Sequence, residues 1–266
     1  MDTKAKIGII GGSGFYSLLN APSSIEAKGK YGAPSALISI GEIAGKSVAF
    51  VPRHGAKHTL PPHKVPFRAN LEAFAEAGVE RIISTNAVGS LAKEYAPGDF
   101  VLFDQFVNMT HGRDDTFFDA DKVVHVSTAE PYCPELRALA AKKAKEMGIR
   151  CHETGTVVVV NGPRFSTKAE SQFFARQGFQ LINMTQYPEV ALAREKAMCY
   201  LGIGIVTDYD AGLDGVEGIK PVNFEDMLSV FNGSVDKVKK LITELIPEIP
   251  DKRSCECGNA LDNAAV

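Results

Sequence analysis

The chain has 266 residues, of which 45% are hydrophobic and 23% are charged, an ordinary composition for a globular protein. Its formal net charge of −3 argues against a general nucleic-acid partner or an acidic membrane surface. No apolar stretch approaches the ~18 residues of a membrane span, and no signal-peptide pattern is present, so the sequence predicts a cytoplasmic protein. Since no linker divides the middle, we predict one domain over residues 1–250. A polar C-terminal segment, residues 251–266, is predicted to be mobile unless a partner subunit orders it.

Short apolar runs along the chain predict strands. Most of them lack strict alternation of apolar and polar residues, which is typical of strands covered on both faces. The predicted strands span residues 6–10, 36–40, 47–51, 81–86, 100–106, 156–160, 181–184 and 200–207.

Helical patterns alternate with these strands. Two of them begin with proline and end before glycine, and Thr167 and Glu170 fit a capping box. The alternation predicts an α/β fold with a central, mostly parallel sheet flanked by helices. The predicted helices span residues 66–77, 134–147, 167–178, 188–198 and 223–245, the last with a break at Gly233 and Ser234.

Two glycine-containing turns resemble phosphate-binding motifs without matching them. Residues 7–14, IGIIGGSG, predict a strand entering a turn, where backbone N–H groups and the Ser13 hydroxyl can meet an anion. A plain tight turn is the alternative, and the dinucleotide fingerprint fails because Ser17 occupies the third glycine position. Residues 41–47, GEIAGKS, are one residue short of a P-loop and join two predicted strands, so they predict a hairpin turn.

Arg53 and His54 follow the strand at residues 47–51. The fixed fork of arginine N–H donors suits phosphate, and histidine adds another donor. An exposed basic loop is the alternative. A metal site with His58 and His63 is disfavoured, because the glutamate of an H-E-x-x-H motif is absent and two adjacent prolines break any helix.

Other strands also end in polar or aromatic residues. Residues 85–90, TNAVGS, offer backbone amides and the Asn86 side chain to an oxyanion or a sugar. Phe165 suits the covering of a flat ring, although a core phenylalanine is the alternative. The strand at 181–184 closes with an amide, a thioether and a hydroxyl, from Asn183, Met184 and Thr185.

Asp208 and Asp210 end the most informative stretch, residues 198–210, MCYLGIGIVTDYD. In open α/β sheets, ligands bind at the carboxyl edge of the strands. A carboxyl beside apolar surface has a raised pKa and can donate a proton near neutral pH. The alternative is that Asp208 caps the next segment and Asp210 faces water.

The five cysteines suggest no obvious metal site. Cys255 and Cys257 form a C-x-C pair, but a zinc site needs two further ligands and none stands nearby in the sequence. Two free thiols or a redox pair remain open. The other three cysteines are isolated in the sequence and are predicted to be buried or inert: Cys133, Cys151 and Cys199.

The motifs GGSG, RHG, TNAVGS, GPRFS, NMT-x-x-PE and TDYD, in this order, resemble the trimeric purine nucleoside phosphorylases. The branch that is most similar is that of the 5′-methylthioadenosine phosphorylases, and the resemblance covers residues 5–250. It implies a nucleoside phosphorylase-like fold, with a mixed, mostly parallel twisted sheet. The implied reaction is phosphorolysis of 5′-methylthioadenosine to adenine and 5-methylthioribose 1-phosphate. Inorganic phosphate is then a co-substrate, and no metal or organic cofactor is needed. A homotrimer or homohexamer with a site shared across subunits is also implied, and the C-x-C pair resembles archaeal, heat-stable members in which it can form disulfides.

The resemblance also implies roles for individual residues. Asp208 would be the general acid at purine N7, and Asp210 would support recognition of the 6-amino group. Phe165 would pack on the purine, and the neighbouring subunit would lend His125 to the 5′ end of the nucleoside. Asn183 and Met184 would lie beside the base or sugar. Phosphate would be bound by Ser13, Arg53, His54, Asn86, Ala87 and Thr185.

An alternative keeps the reaction and changes the base. Asn86 and the segment at residues 211–215 look more like 6-oxopurine nucleoside phosphorylases, which act on inosine, guanosine or 5′-methylthioinosine, whereas Asp208 favours adenine. Asn161 also stands where glutamate is common. A non-catalytic nucleoside-binding protein and a nucleotide-dependent oxidoreductase are other classes. Intact Asp208 and Arg53 argue against the first of these, and the incomplete glycine fingerprint argues against the second.

Overall fold

The computed structural model describes residues 4–12, 18–27, 29–120, 122–213, 216 and 218–265. The strands are β1 Ile7–Gly11, β2 Asn20–Ile25, β3 Ile38–Ile43, β4 Lys46–Pro52, β5 Arg81–Ser90, β6 Phe100–Leu102, β7 Gln105–Asn108, β8 Cys151–His152, β9 Thr156–Val159, β10 Leu181–Asn183 and β11 Cys199–Asp208. The helices are α1 Phe67–Glu76, α2 Pro134–Glu146, α3 Lys168–Arg176, α4 Gln186–Glu195 and α5 Phe224–Leu245. None of these described helices is long and apolar enough to cross a membrane.

The strands form one mixed sheet with β5 at its branch point. Over Arg81–Ser84, β5 lies between β1 and β11, both parallel to it, and its last residues pair with antiparallel β10. Six strand pairings are parallel, β1 with β4 and β5, β5 with β11, β9 with β7 and β10, and β6 with β8. Four are antiparallel. The predicted α/β class and mostly parallel sheet are therefore confirmed.

The prediction of one continuous strand at residues 100–106 is wrong. This segment is two strands, because β6 pairs with β11 while β7 crosses to β9. The short strands β2 and β8 were not predicted. The segment of β2, NAPSSI, has a proline and no apolar run, and among the described strands it pairs with β3 alone, at the edge of the sheet. The hairpin turn at residues 41–47 is confirmed, since Ala44 and Gly45 connect β3 to β4 with positive φ angles of 48° and 82°.

The helices agree with the prediction except at one point. The capping box of α3 is present, with the Glu170 N–H donating to the Thr167 side chain and the Thr167 N–H donating to the Glu170 side chain. The predicted break at Gly233 and Ser234 is wrong, because α5 is continuous from residue 224 to 245. The Ser234 hydroxyl is buried and donates to the Val230 carbonyl oxygen at 3.0 Å. This hydrogen bond within the helix satisfies the hydroxyl, so the helix continues through Ser234.

The described part of the C-terminal segment, residues 251–265, packs against the rest of the chain. The Ser254 hydroxyl donates to Glu135 Oε1 at 2.6 Å, and Arg253 Nη1 donates to the Ala197 carbonyl oxygen at 2.7 Å. Residues 256–259 form a short 3-10 helix in which Cys257 is buried. These contacts are all made within one subunit.

Candidate active site

The predicted site residues lie at the carboxyl ends of the strands around β5. Gly89, near the end of β5, is in register with both Ile182 of β10 and Asp208 of β11. A Cβ atom on Gly89 would lie 3.0 Å from Asp208 Oδ1 and 3.0 Å from Ile182 Cγ2. Glycine at this position therefore lets β5 approach the Asp208 carboxylate closely.

Asp208 occupies the last position of β11, after an irregularity in the pairing between Val206 and Asp208. Such bulges redirect side chains next to functional sites. Its Oδ1 accepts a hydrogen bond from the Asp210 N–H at 2.8 Å, and Oδ2 accepts one from the Thr207 hydroxyl at 2.7 Å. Burial raises the pKa of Asp208 to about 6, despite these two hydrogen bonds. A carboxyl with this pKa is suited to donate a proton close to neutral pH.

Asp210 is buried and has a positive φ of 47°. Burial raises its pKa above the ordinary value, while hydrogen bonds from Ser171 and Ser166 oppose that shift. Among the described residues, Asp210 Oδ2 has no hydrogen-bond partner. Because a buried acceptor without a partner costs free energy, this oxygen is suited to receive an N–H group from a ligand.

Arg53 is buried and held by a fully buried carboxylate, Glu189. Its Nε and Nη2 donate to Glu189 at 2.7 and 2.9 Å, Nη2 also donates to Ser84 Oγ at 2.6 Å, and Nη1 donates to the Thr85 carbonyl oxygen at 2.9 Å. Tyr200 donates a further hydrogen bond to Glu189 at 2.5 Å. These contacts use four of the five guanidinium N–H groups, so one Nη1 N–H is left for a ligand.

Asn86, Asn183 and Thr185 form a polar network that joins β5 to β10. The Thr185 hydroxyl donates to Asn86 Oδ1 at 3.3 Å, and Asn183 Nδ2 donates to the Ala87 carbonyl oxygen at 3.1 Å. Asn183 Oδ1 accepts the backbone N–H groups of Thr185 and Gln186, at 2.6 and 2.7 Å. These bonds fix the turn from β10 into α4.

His54 is neutral in this environment. Burial, together with the charge of Arg53, lowers its pKa to about 4. Its Nδ1 lies 2.8 Å from the Leu60 carbonyl oxygen, which can only accept, so Nδ1 carries the hydrogen and Nε2 has a free lone pair. The ring stacks on His58 with 4.7 Å between centroids.

Arg113 joins the segment around Met184 to the exit of β9. Its Nη2 donates to the carbonyl oxygens of Met184 and Asn161, at 2.8 and 3.1 Å, and its Nη1 donates to that of Tyr187. Phe165 lies four residues after Asn161 and is 38% exposed, so its ring is accessible to a ligand.

One predicted residue, His125, makes none of these contacts. His125 is exposed, and its backbone N–H donates to the Ala264 carbonyl oxygen at 2.8 Å. Ser13 lies outside the described residues.

Glu189 and Arg113 contact residues of the candidate site, and the sequence did not reveal them. Glu189 stands inside the NMT-x-x-PE motif, which was a signal for it, but its role depends on contact with Arg53, which is distant in sequence. Arg113 had no signal, since its polar segment resembles an ordinary loop. Together, the strand ends bring a proton donor, an unpaired acceptor and donors for an anion to one edge of the sheet.

Comparisons with known proteins agree with this geometry. Residues 6–247 match the family model of the phosphorylase superfamily. An S-methyl-5′-thioadenosine phosphorylase from Thermofilum pendens is 52% identical over 265 residues, which covers 99% of each chain. A methylthioadenosine phosphorylase from an antarctic soil metagenomic library superimposes with a TM-score of 0.92 at 37% identity, covering 99% of this chain and 93% of its own. The methylthioadenosine phosphorylase of Schistosoma mansoni in complex with adenine has a TM-score of 0.90 at 32% identity, covering 97% and 98%.

Proposed function

The chain belongs to the phosphorylase superfamily, and from this premise we propose that it catalyses the phosphorolysis of 5′-methylthioadenosine. The products are adenine and 5-methylthioribose 1-phosphate. The observation that carries the proposal is the Asp208 carboxyl, whose pKa is raised to about 6 at the end of a buried strand.

The reaction exchanges one bond at the sugar for another. A phosphate oxygen bonds to C1′ while the bond from C1′ to purine N9 breaks, and the electron pair of that bond passes to the purine. Asp208 gives its proton to N7, so the base leaves as a neutral molecule. The sugar passes through a cationic state that the charge of the nearby phosphate stabilises. Alignment of phosphate with C1′ contributes through positioning, and the proton transfer contributes ~10²–10⁴-fold.

Asp210 supports the choice of adenine. The 6-amino group of adenine is a donor and would pair with the unpaired Asp210 Oδ2. A 6-oxopurine would place an acceptor oxygen there and leave the carboxylate without a partner. The penalty for such a buried unpaired group is about 1–3 kcal/mol. The 6-oxopurine alternative is therefore disfavoured.

Phosphate binding is proposed for the donors that surround the β5 end. Arg53 offers one free N–H and its charge, and Thr185 and Asn86 offer short side chains. Because the Nε2 of neutral His54 carries a lone pair, it would accept a hydrogen bond from a protonated phosphate oxygen. Phosphate is itself the nucleophile, so we expect no metal or organic cofactor in this reaction.

The start of α5 is proposed as the wall of the 5′ pocket. The Val222 N–H donates to the Asp210 carbonyl oxygen at 2.7 Å, which ties this segment to the site. Phe224 and Leu228 on α5 are 60% and 40% exposed, and their apolar surfaces suit a methylthio group. The exposed His125 would reach the same pocket from a partner subunit in a trimer or hexamer. An apolar pocket rejects a hydroxyl by only ~1–3 kcal/mol, so some adenosine activity is expected.

The test is phosphate-dependent release of free base from 5′-methylthioadenosine, adenosine, inosine and guanosine, measured side by side. Adenine release, fastest from 5′-methylthioadenosine, is expected. Dominant release of hypoxanthine or guanine would contradict the role of Asp210. Binding without release of any base would contradict the catalytic proposal.

A further inference from the structure

Four of the five cysteines meet in one cluster, far from the candidate active site. Cys133 is the N-cap residue of α2 and Cys199 begins β11, while Cys255 and Cys257 come from the C-terminal segment. Their Sγ atoms all lie within 4.8 Å of one another. Three of the four are buried, and Cys255 is half-buried. Cys133 and Cys199 are isolated in the sequence, but the fold brings both of them next to the C-x-C pair.

The spacing of the sulfur atoms suits a tetrahedral metal centre. With Zn–S bonds of about 2.3 Å, the edges of a sulfur tetrahedron are about 3.8 Å long. Cys255 Sγ lies 3.6 Å from Cys133 Sγ and 3.4 Å from Cys199 Sγ. A disulfide needs about 2.05 Å and would select one partner. Here Cys255 approaches two partners almost equally.

A buried arginine provides a second, independent observation. Arg81 of β5 is in register with Cys199 of β11, so both side chains belong to the same face of the sheet. Arg81 is 1% exposed, and its Nε and Nη2 make no hydrogen bond within the described part of the chain. Two carboxylates lie at longer range, with Glu135 Oε2 4.0 Å from Nη2 and Glu80 Oε2 3.8 Å from Nη1. Because a Zn²⁺ ion with four thiolates carries two negative charges, this guanidinium would compensate them and donate N–H groups toward sulfur.

We propose that the four-cysteine cluster binds one Zn²⁺ ion per subunit as a tetrahedral tetrathiolate site. Thiolates select soft cations such as Zn²⁺. Binding forms four Zn–S bonds and releases the thiol protons to solvent, with no oxidation or reduction. The site is structural, since β11 has ten residues and separates Cys199 from Asp208 by about 30 Å. It would hold the C-terminal segment on the start of β11 and on α2.

The test uses the full chain, reduced and stripped of metal with a chelator. We expect it to take up one Zn²⁺ per subunit, and Co²⁺ in its place should give the visible and charge-transfer absorption of tetrahedral thiolate coordination. The Cys255→Ser variant should lose more than about tenfold in Zn²⁺ affinity, the minimum effect seen when even the outer partners of metal sites are disturbed. Cys151→Ser is the matched control, because Cys151 is half-buried and lies outside the cluster.

Thermal unfolding distinguishes the loss of the metal site from general misfolding of the variant. Zn²⁺ should raise the melting temperature of the wild type and of Cys151→Ser but not that of Cys255→Ser, while base release at moderate temperature stays the same in all three. Absence of Zn²⁺ uptake by the reduced wild type, or equal affinity in Cys255→Ser, would overturn the proposal. Disulfides within the cluster in protein made with zinc in the medium and thiol-blocked at lysis would also overturn it.

Discussion

Replacing Asp208 with asparagine removes an acid while keeping the shape of the side chain. Asparagine Oδ1 can still accept the Asp210 N–H, and its amide can donate to Thr207 Oγ1, because the Thr207 hydroxyl has Val88 O as another acceptor at 3.2 Å. The fold should therefore persist. The loss of general acid catalysis should lower turnover of 5′-methylthioadenosine ~10²–10⁴-fold, or about 3–5 kcal/mol in the barrier. The assay is phosphate-dependent release of adenine.

The pH dependence of activity also tests the acid role of Asp208. The pKa of Asp208 is about 6, so in the free enzyme the active, protonated form should fall tenfold for each pH unit above that value. Phosphate also titrates near neutral pH, and its contribution should persist in Asp208→Asn while the Asp208 limb disappears. His54 should add no limb between pH 5 and 8, because its pKa of about 4 keeps it neutral there.

Rising pH should lower stability as well as activity. The folded pKa of Asp208 is raised from 3.8 to about 6, so its contribution is fully present below pH 3.8 and is lost as pH rises through about 6. The loss amounts to about 3 kcal/mol by pH 8 and roughly half of that by pH 5. Asp208→Asn, which cannot ionise, should therefore unfold at higher urea than the wild type at pH 8, with a smaller difference at pH 5.

A substrate that needs no proton provides the control. A 7-methylated purine nucleoside releases a neutral base without an acid, so Asp208→Asn should lose far less activity toward it. Equal losses on both substrates would refute the acid role and would point to positioning instead. Wild-type turnover of 5′-methylthioadenosine by the variant would refute the assignment altogether.

Three further substitutions test the rest of the site. Glu189→Gln removes the charge that pairs with buried Arg53, so it should lower the free energy of unfolding by about 3–5 kcal/mol in urea titrations. It should also raise the KM for phosphate more than the KM for the nucleoside. An unchanged KM for phosphate would contradict the role of this pair. Gly89→Ala places a Cβ 3.0 Å from Asp208 Oδ1 and should lower kcat by at least about tenfold, whereas full activity would mean that β5 can move aside. Asp210→Asn should reduce the preference for adenosine over inosine by about tenfold or more in kcat/KM, and a preserved ratio would contradict recognition of the 6-amino group.

The strands that position the site were predictable because each one has a local signal. Residues 199–206 are an uninterrupted run of apolar residues and glycine, and burial on both faces of the sheet requires such a run. The capping box of α3 is equally local. By contrast, β2 is a polar edge strand defined only by its pairing with β3, and the separation of β6 from β7 depends on which strands they reach. Pairing partners are a property of the whole fold.

The same distinction applies to the site. Asp208 and Asp210 could be proposed as site residues because they follow a strong strand signal at the edge where ligands bind. The contact between Arg53 and Glu189 joins residues 136 positions apart, and no local pattern reveals it. The four-cysteine cluster escaped prediction for the same reason, since its members come from three separate segments.

The cysteine cluster also affects the chain when it is unfolded. Any covalent or metal link between Cys199 and Cys255, which are 56 positions apart, would close a large loop in the denatured polymer. Loop-closure entropy for a loop of that length corresponds to about 4 kcal/mol, nearly independent of the contacts made in the native state. A second link to Cys133, 122 positions before Cys255, would restrict the same ensemble further. Through this constraint the C-terminal segment would lower the entropy that the chain gains on unfolding.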